Sequence, residues 1–371
     1  MKRNTHLISA PGPWAQSRRD FLKTAALAGV AGIAAGHLGA RPAFAKASKI
    51  VWGTNADYAQ PDMLSPFQKA SGIEVATEYF SDPSELVTKL RAGGAGVHVM
   101  TDGSYHSDIT YGEGVLKPID TAKMPNWDKM IPAFKTAGGL AFDGKPHGIP
   151  YAWGTDSVVY NFDALKTEID DLGALFDPKY KGQIAMPNGL FESLVATALY
   201  LGIEKPFAMS EKELDEVTKV LIKQKPLVRS YWNDIGDLKN LMATGEVTIC
   251  WGWKMLLDIK QHGIDVRWAH PKQGELAWYD AAFMTKEAEG ETEEATMAFM
   301  DYLIGDTYGA VLGKSIGYLT TSTSAIAAMD KDLVKTLGLD DYDSFLAKAA
   351  WWTSPTQPDL YQKAWDKVLN A

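Results

Sequence analysis

From Lys49 onward, short apolar runs alternate with stretches whose apolar residues recur at helical spacing, a pattern that points to a mixed α/β architecture. Lys49 to Trp52, Ile73 to Tyr79 and Val97 to Thr101 read as strands. Between them, Pro61 to Ala70 and Pro83 to Arg91 read as helices; Asp82 is placed to cap the second, Pro83 and Glu85 occupy its first turn, and Gly93-Gly94 stops it. A second series has strands at Ser157 to Asn161, Gln183 to Met186, Thr248 to Trp251 and Val266 to Ala269. It also has a helix after a Ser210/Glu213 capping box, with Leu214, Val217 and Leu221 on one face. Ala281 to Met284, a helix over Glu291 to Gly305 and a helical stretch from Pro358 to Asn370 complete the pattern. Gly148 to Gly154 and Trp278 to Ala281 lie where the two series hand over, as crossings between two lobes would.

The first 45 residues belong to neither series. Ser17-Arg18-Arg19-Asp20-Phe21-Leu22-Lys23 resembles a twin-arginine export signal, and Ala25 to Ala35 contains only Ala, Gly, Val, Leu and Ile. That run falls short of the roughly 20 apolar residues a membrane span needs. Ala43-Phe44-Ala45 suits a signal peptidase, so cleavage is expected near Ala45 and the mature chain is expected in the periplasm. The 326 residues that remain exceed the roughly 250 to 300 at which a single core stops growing, which predicts two lobes. Without the leader's six basic residues and one acid, the net charge of −9 becomes −14, a surface that repels nucleic acid and favours cationic solutes.

Several chemistries lack their residues. Cys250 is the single cysteine, so neither an internal disulfide nor a thiolate-held haem, iron–sulfur or copper centre can form, and no cofactor is expected. The five histidines of the mature chain include no zinc-binding i,i+4 pair. Gly313-Lys314-Ser315-Ile316-Gly317 fits a hydrolase nucleophile elbow, but no histidine follows it to complete the triad order. Gly93-Gly94-Ala95-Gly96 has neither the spacing nor the following helix of a nucleotide-binding loop.

What remains is a set of rings and acids at strand ends and loops: Tyr58, Tyr105, Trp253, Trp278, Asp280 and Tyr318, with Glu192 at the start of a helix. Aromatic faces attract an organic cation by roughly 0.5 to 2 kcal/mol each, and a carboxylate adds a charge-assisted hydrogen bond. Each ring taken singly also suits a core position.

On these residues the chain resembles the periplasmic substrate-binding proteins of ABC importers, of the spermidine/putrescine-binding type. Ile149-Pro150-Tyr151-Ala152-Trp153-Gly154 is similar to that family's Ile-Pro-Tyr-x-Trp-Gly crossing, and Pro178-Lys179-Tyr180-Lys181-Gly182 to its Pro-x-Tyr-Lys-Gly turn. Gly245-Glu246-Val247 before Trp253, Pro271-Lys272-Gln273-Gly274 before Trp278 and Asp280, and Ile316-Gly317-Tyr318 match in order and approximate spacing. The resemblance implies the type II periplasmic-binding-protein fold: each lobe is a central mixed sheet flanked by helices, and the ligand lies in the cleft between lobes. Lobe 1 is expected over 46–153 plus 281–322 and lobe 2 over 154–280 plus 323–371.

It further implies ligand contacts at Tyr58, Tyr105, Glu192, Trp253, Trp278, Asp280 and Tyr318, with Trp351 or Trp352 where the family has a glutamine. Two departures stand out. Asn55 replaces a family tryptophan, and Gly189 replaces the aspartate of an Asp-x-x-Glu pair that keeps Glu192. The implied function is non-enzymatic capture of a small amine by hinge closure and delivery to an inner-membrane permease, by a monomer exported through the Tat translocon. With one acid lost, an amino acid, γ-aminobutyrate or a quaternary amine stays open as ligand, and Arg229 is a candidate for a ligand carboxylate. A ferric-ion receptor and a Tat-exported enzyme are the other readings.

Overall fold

The computed structural model describes residues 47–371 except Ser81 and Lys348; the export signal expected over 1–45 lies outside the described residues. The strands are β1 (Lys49–Thr54), β2 (Glu74–Tyr79), β3 (Val99–Gly103), β4 (Ala141–Phe142), β5 (Lys145–Pro146), β6 (Gly148–Asn161), β7 (Ile184–Pro187), β8 (Val228–Trp232), β9 (Ile249–Trp253), β10 (Val266–Trp268), β11 (Leu276–Met284), β12 (Leu319–Thr320) and β13 (Ala350–Trp351). All but the β4–β5 hairpin join one mixed sheet, ordered β2-β1-β3-β11-β6-β9-β7-β8, with β10 and β12 added to β6 and β13 to β11.

The chain opens as expected, with β1 parallel to both β2 and β3 and helices Pro61–Ser71 and Pro83–Ala92 as crossovers. The first helix buries Met63, Leu64 and Phe67 on one face and ends at Gly72, whose φ of 76° a side chain would strain. In the second, Asp82 caps the Ser84 N–H. The Ser210/Glu213 capping box forms reciprocally, and Leu214, Val217 and Leu221 are buried in helix Glu211–Gln224.

Two strands differ from the sequence reading. Gly148 to Gly154 and Ser157 to Asn161, expected as separate pieces, are one 14-residue strand buried along its whole length. The polar Thr155-Asp156 step reads as a break in sequence, yet Asp156 sits inside the sheet because indole N–H groups satisfy its carboxylate. Likewise Trp278 to Met284 belongs to one strand, β11, that pairs with β6 along nearly its full length and with β3 through Asp280 to Met284. The elbow-like Gly313 to Gly317 segment closes helix Asp306–Ile316, with Gly317 as its left-handed cap, and so lacks the strand–turn–helix of a hydrolase.

These two strands are the middle pair of the sheet. The amino-terminal half of β6 pairs with β12 and its carboxyl-terminal half with β9 and β10. The buried side chains divide accordingly. One large cluster draws on residues 50–153 and 279–339, and three smaller ones on 158–276 and 352–368. Among the described residues no helix is long and apolar enough to cross a membrane.

Candidate functional site

The site grows from alternation along β6 and β11. Successive strand residues face opposite sides, so Trp278 and Asp280 share one face while Tyr279 points to the other. Trp278 pairs with Gly154 across the ladder, and a Cβ on Gly154 would stand 2.3 Å from the Trp278 ring. The glycine is what lets the indole lie flat over β6. Gly103, opposite Asp280 on β3, does the same for Tyr105, whose ring would be 2.4 Å from an added Cβ. The Tyr105 ring thus covers the strand beside the Asp280 carboxylate.

Tyr58 comes from the turn Ala56–Ala59 that follows β1, held by a hydrogen bond from the Tyr308 hydroxyl to its carbonyl oxygen at 3.1 Å. Its own hydroxyl donates to Asp280 Oδ2. Tyr318, just before β12, lies 5.8 Å from the Tyr58 ring and 4.9 Å, edge to face, from Trp278. Tyr58, Trp278, Asp280 and Tyr318 therefore form one continuous wall. Removal from water pushes Asp280 up to about 6, against the Tyr58 hydrogen bond, and the nearby Asp102 charge adds to the rise. Burial and the Asp280 charge drive the Tyr58 phenol upward as well, and the same two causes raise Tyr318 and Tyr105.

A second acidic pole lies along the same face of β6. Asp156 accepts from the Trp352 indole at 2.7 Å and the Trp278 indole at 3.2 Å, and the Trp253 indole also favours its charge. Trp253 stands opposite Asp156 in the β6–β9 register and meets Trp232 edge to face at 5.2 Å. Desolvation carries Asp156 up to about 7, with the neighbouring Glu192 charge contributing. Glu192 lies in the first turn of helix Leu190–Tyr200, where its carboxylate folds back over the amino-terminal end; a Cβ on Gly189 would be 1.7 Å from Glu192 Oε2. The glycine at 189 thus makes the room that this Glu192 conformation uses. Burial raises the Glu192 carboxyl too.

The structure brings seven of the eight expected site residues to these two poles: Tyr58, Tyr105, Trp278, Asp280 and Tyr318 directly, Trp253 through Asp156, and Glu192 through the charge it exerts on Asp156 and Tyr105. Trp351 does not join them. It packs against Phe134 at 5.5 Å and Tyr279 at 6.0 Å, on the far side of β11, because β13 alternates and only Trp352 turns toward Asp156. Asp156 itself was not anticipated. Its one signal in sequence is its place two positions after Gly154, hence on the same strand face, between the polar Thr155 and Ser157. Arg229, considered for a ligand carboxylate, is engaged at the exposed side of the edge strand β8 by Glu246 at 2.5 Å.

Among the described residues no ion pair joins Asp280, Asp156 or Glu192 to a lysine or arginine, and the first two lie against tyrosine and tryptophan side chains. Such a surface can hold ammonium groups by charge-assisted hydrogen bonds and ring faces. Among the described residues no three His, Cys, Asp or Glu side chains converge as a metal site would require.

Residues 62–359 match the family described as bacterial extracellular solute-binding protein. The chain is 24% identical over 339 residues to the putrescine-binding periplasmic protein PotF of Escherichia coli, covering 85% of this chain and 90% of that one. It is 26% identical over 337 residues to the putrescine-binding periplasmic protein SpuD of Pseudomonas aeruginosa, with the same coverage. In fold it is similar to the spermidine/putrescine ABC transporter substrate-binding protein PotD of Streptococcus pneumoniae, with a TM-score of 0.77 and 22% identity over 87% of this chain and 98% of that one.

Proposed function

Starting from the chain's membership of the bacterial extracellular solute-binding proteins, we propose that it captures a small polyamine such as putrescine or spermidine and passes it to an ABC permease in the inner membrane. One observation carries this reading: Asp280 and Asp156 are buried against tyrosine and tryptophan side chains, and among the described residues neither they nor the nearby Glu192 form an ion pair with a basic side chain. A linear amine supplies the missing positive charge at its ends, and its methylene body lies along the wall formed by the Tyr58, Tyr318 and Trp278 rings.

In this reading the two halves of the sheet act as lobes joined by β6 and β11, and closure about those strands buries the ligand. The proposed lobes are 46–153 plus 281–322 and 154–280 plus 323–371, and the separation of the buried clusters supports a division of this kind. Leu337 and Leu339 pack with the first cluster and Trp352 with the second, which favours a last hand-over closer to residue 350. The function is capture without covalent change, by a monomer in the periplasm that reaches it through the Tat translocon.

The rival ligands fit less well. An amino acid or γ-aminobutyrate needs a basic group for its carboxylate, and Arg229 is already paired with Glu246. Ferric iron bound by tyrosinates needs phenols that ionise readily, whereas burial and Asp280 push Tyr58 and Tyr318 the other way. Calorimetric titration with putrescine, spermidine, γ-aminobutyrate and choline tests the proposal. Saturable heat with one stoichiometric di- or triamine is expected; silence for every amine rejects it.

A further inference from the structure

Asp156 is 2% exposed; the Trp278 and Trp352 indoles donate to its carboxylate, and Trp253 stands opposite it in the β6–β9 register and favours its charge. The indoles arrive from separate stretches of chain: Trp253 ends β9, Trp278 lies within β11 and Trp352 follows β13. A neutral acceptor such as a backbone carbonyl satisfies an indole N–H at lower desolvation cost, as the Trp251 carbonyl does for Trp232. An ionisable acid placed among three indoles is therefore more than packing requires. A carboxylate bonded to an indole N–H also pushes electron density toward the ring, which strengthens the attraction of its face for a cation.

We propose that Asp156 is the positioning residue of the cation site: it ties Trp253, Trp278 and Trp352 into one wall and charges their rings for an ammonium group that rests against them without touching the carboxylate. This rests on the amine-binding reading, but it makes a separate claim about how the rings are prepared. The wall depends on Asp156 being ionised. Its charged and titratable neighbours are Glu192, from the first turn of helix Leu190–Tyr200, and Tyr318, from the loop before β12; the indoles contributed by β9, β11 and the segment after β13 carry no charge. Desolvation holds its carboxyl up to about 7, so the three rings gain and lose their charged partner close to neutral pH.

Two measurements test this. The first needs no ligand: tryptophan emission of the wild-type protein is followed from pH 5 to 9, beside Asp156→Asn and Trp352→Phe. An emission transition near neutrality is expected in the wild type and absent from Asp156→Asn. In Trp352→Phe, which keeps a ring but removes the shortest donor, it moves to higher pH. The second is putrescine titration at pH 8 and pH 6. Asp156→Asn is expected to bind about 10-fold or more weakly at pH 8 and to lose the part of the wild-type pH dependence centred near 7. Should Asp156→Asn fail to fold, the wild-type and Trp352→Phe emission curves decide.

An unchanged transition in either variant, or putrescine binding within about twofold of wild type with the same pH profile, overturns the role of Asp156 while leaving amine binding in place. Absence of amine binding by the wild type removes the reading beneath it, and the emission transition still reports whether Asp156 couples to the indoles.

Discussion

The Tyr58 hydroxyl donates to the Asp280 carboxylate, joining the turn after β1 to the middle of β11 across 222 residues of sequence. Among the described residues no basic side chain pairs with Asp280, and the Tyr58 phenol is the group that stabilises its charge. Tyr58→Phe removes that donor and keeps the ring. A hydrogen bond to a charged group contributes about 1.5 to 3 kcal/mol. The variant should therefore bind putrescine roughly 10- to 100-fold more weakly near pH 6, where less of its Asp280 is ionised. The gap should narrow at pH 8. Calorimetry at both pH values checks this, and equal affinity for the two proteins at pH 6 rejects a charge-stabilising role for Tyr58.

Asp280→Asn separates binding from folding. Above pH 6 the wild-type carboxylate is a desolvated charge without a counter-ion, and the amide relieves it. The ligand-free variant should melt at the same temperature as the wild type or higher, measured at pH 8. Amine binding should fall by about 2 to 5 kcal/mol, the usual loss when one member of a buried charge pair is removed. A variant that melts lower and binds normally would place Asp280 in the framework instead of the site.

Much of this arrangement was legible in the residues themselves. The Gly148 to Gly154 and Trp278 to Ala281 segments pair as neighbouring strands, and Tyr58, Trp278, Asp280 and Tyr318, distant in sequence, lie in contact. Periodicity marks such elements because one strand face must be apolar and the other must not. Asp156 is hard to read for a physical reason: an acid in a strand looks like an interruption until distant tryptophans, Trp278 and Trp352, supply its donors. Those contacts are long range and leave no local pattern. Trp351 and Trp352 differ by one position, and which of them faces the acids depends on how β13 pairs with β11, a register that composition does not fix.

The stability of the ligand-free protein should rise as pH falls from 8 to 5. Asp280 and Asp156 titrate at about 6 and about 7 in the folded chain, against about 3.9 when unfolded. Between those limits the native state holds protons that the unfolded state has lost, so acidification favours folding. Glu192, raised by burial, acts in the same direction. So does His106, raised by its hydrogen bond to Asp102; its contribution is complete below its ordinary value of about 6.5 and is lost as pH climbs through its folded value. Carboxyls held low by hydrogen bonds, such as Asp171 at about 2, reverse the trend only in stronger acid. Melting curves of the wild type, Asp156→Asn and Asp280→Asn across this range check the assignment; each substitution should flatten the slope. A bound diamine should raise the melting temperature more at pH 8 than at pH 5, because it favours the ionised carboxylates.

Gly154→Ala tests whether the wall depends on close approach of a ring to the backbone. The added methyl would stand 2.3 Å from the Trp278 ring, well inside contact distance, and the indole must swing away from β6. That movement breaks its hydrogen bond to Asp156 and its edge-to-face contact with Tyr318 at once. Overpacking of this kind costs about 1 to 3 kcal/mol. The variant should melt several degrees lower, show altered tryptophan emission and bind putrescine more weakly at pH 8. Gly182→Ala, where nothing lies within 4 Å of the added methyl but φ is 78°, provides the contrast. Backbone strain there should lower the melting temperature while leaving emission and affinity unchanged. If Gly154→Ala behaves like Gly182→Ala, Trp278 does not need its seat over the crossing strand.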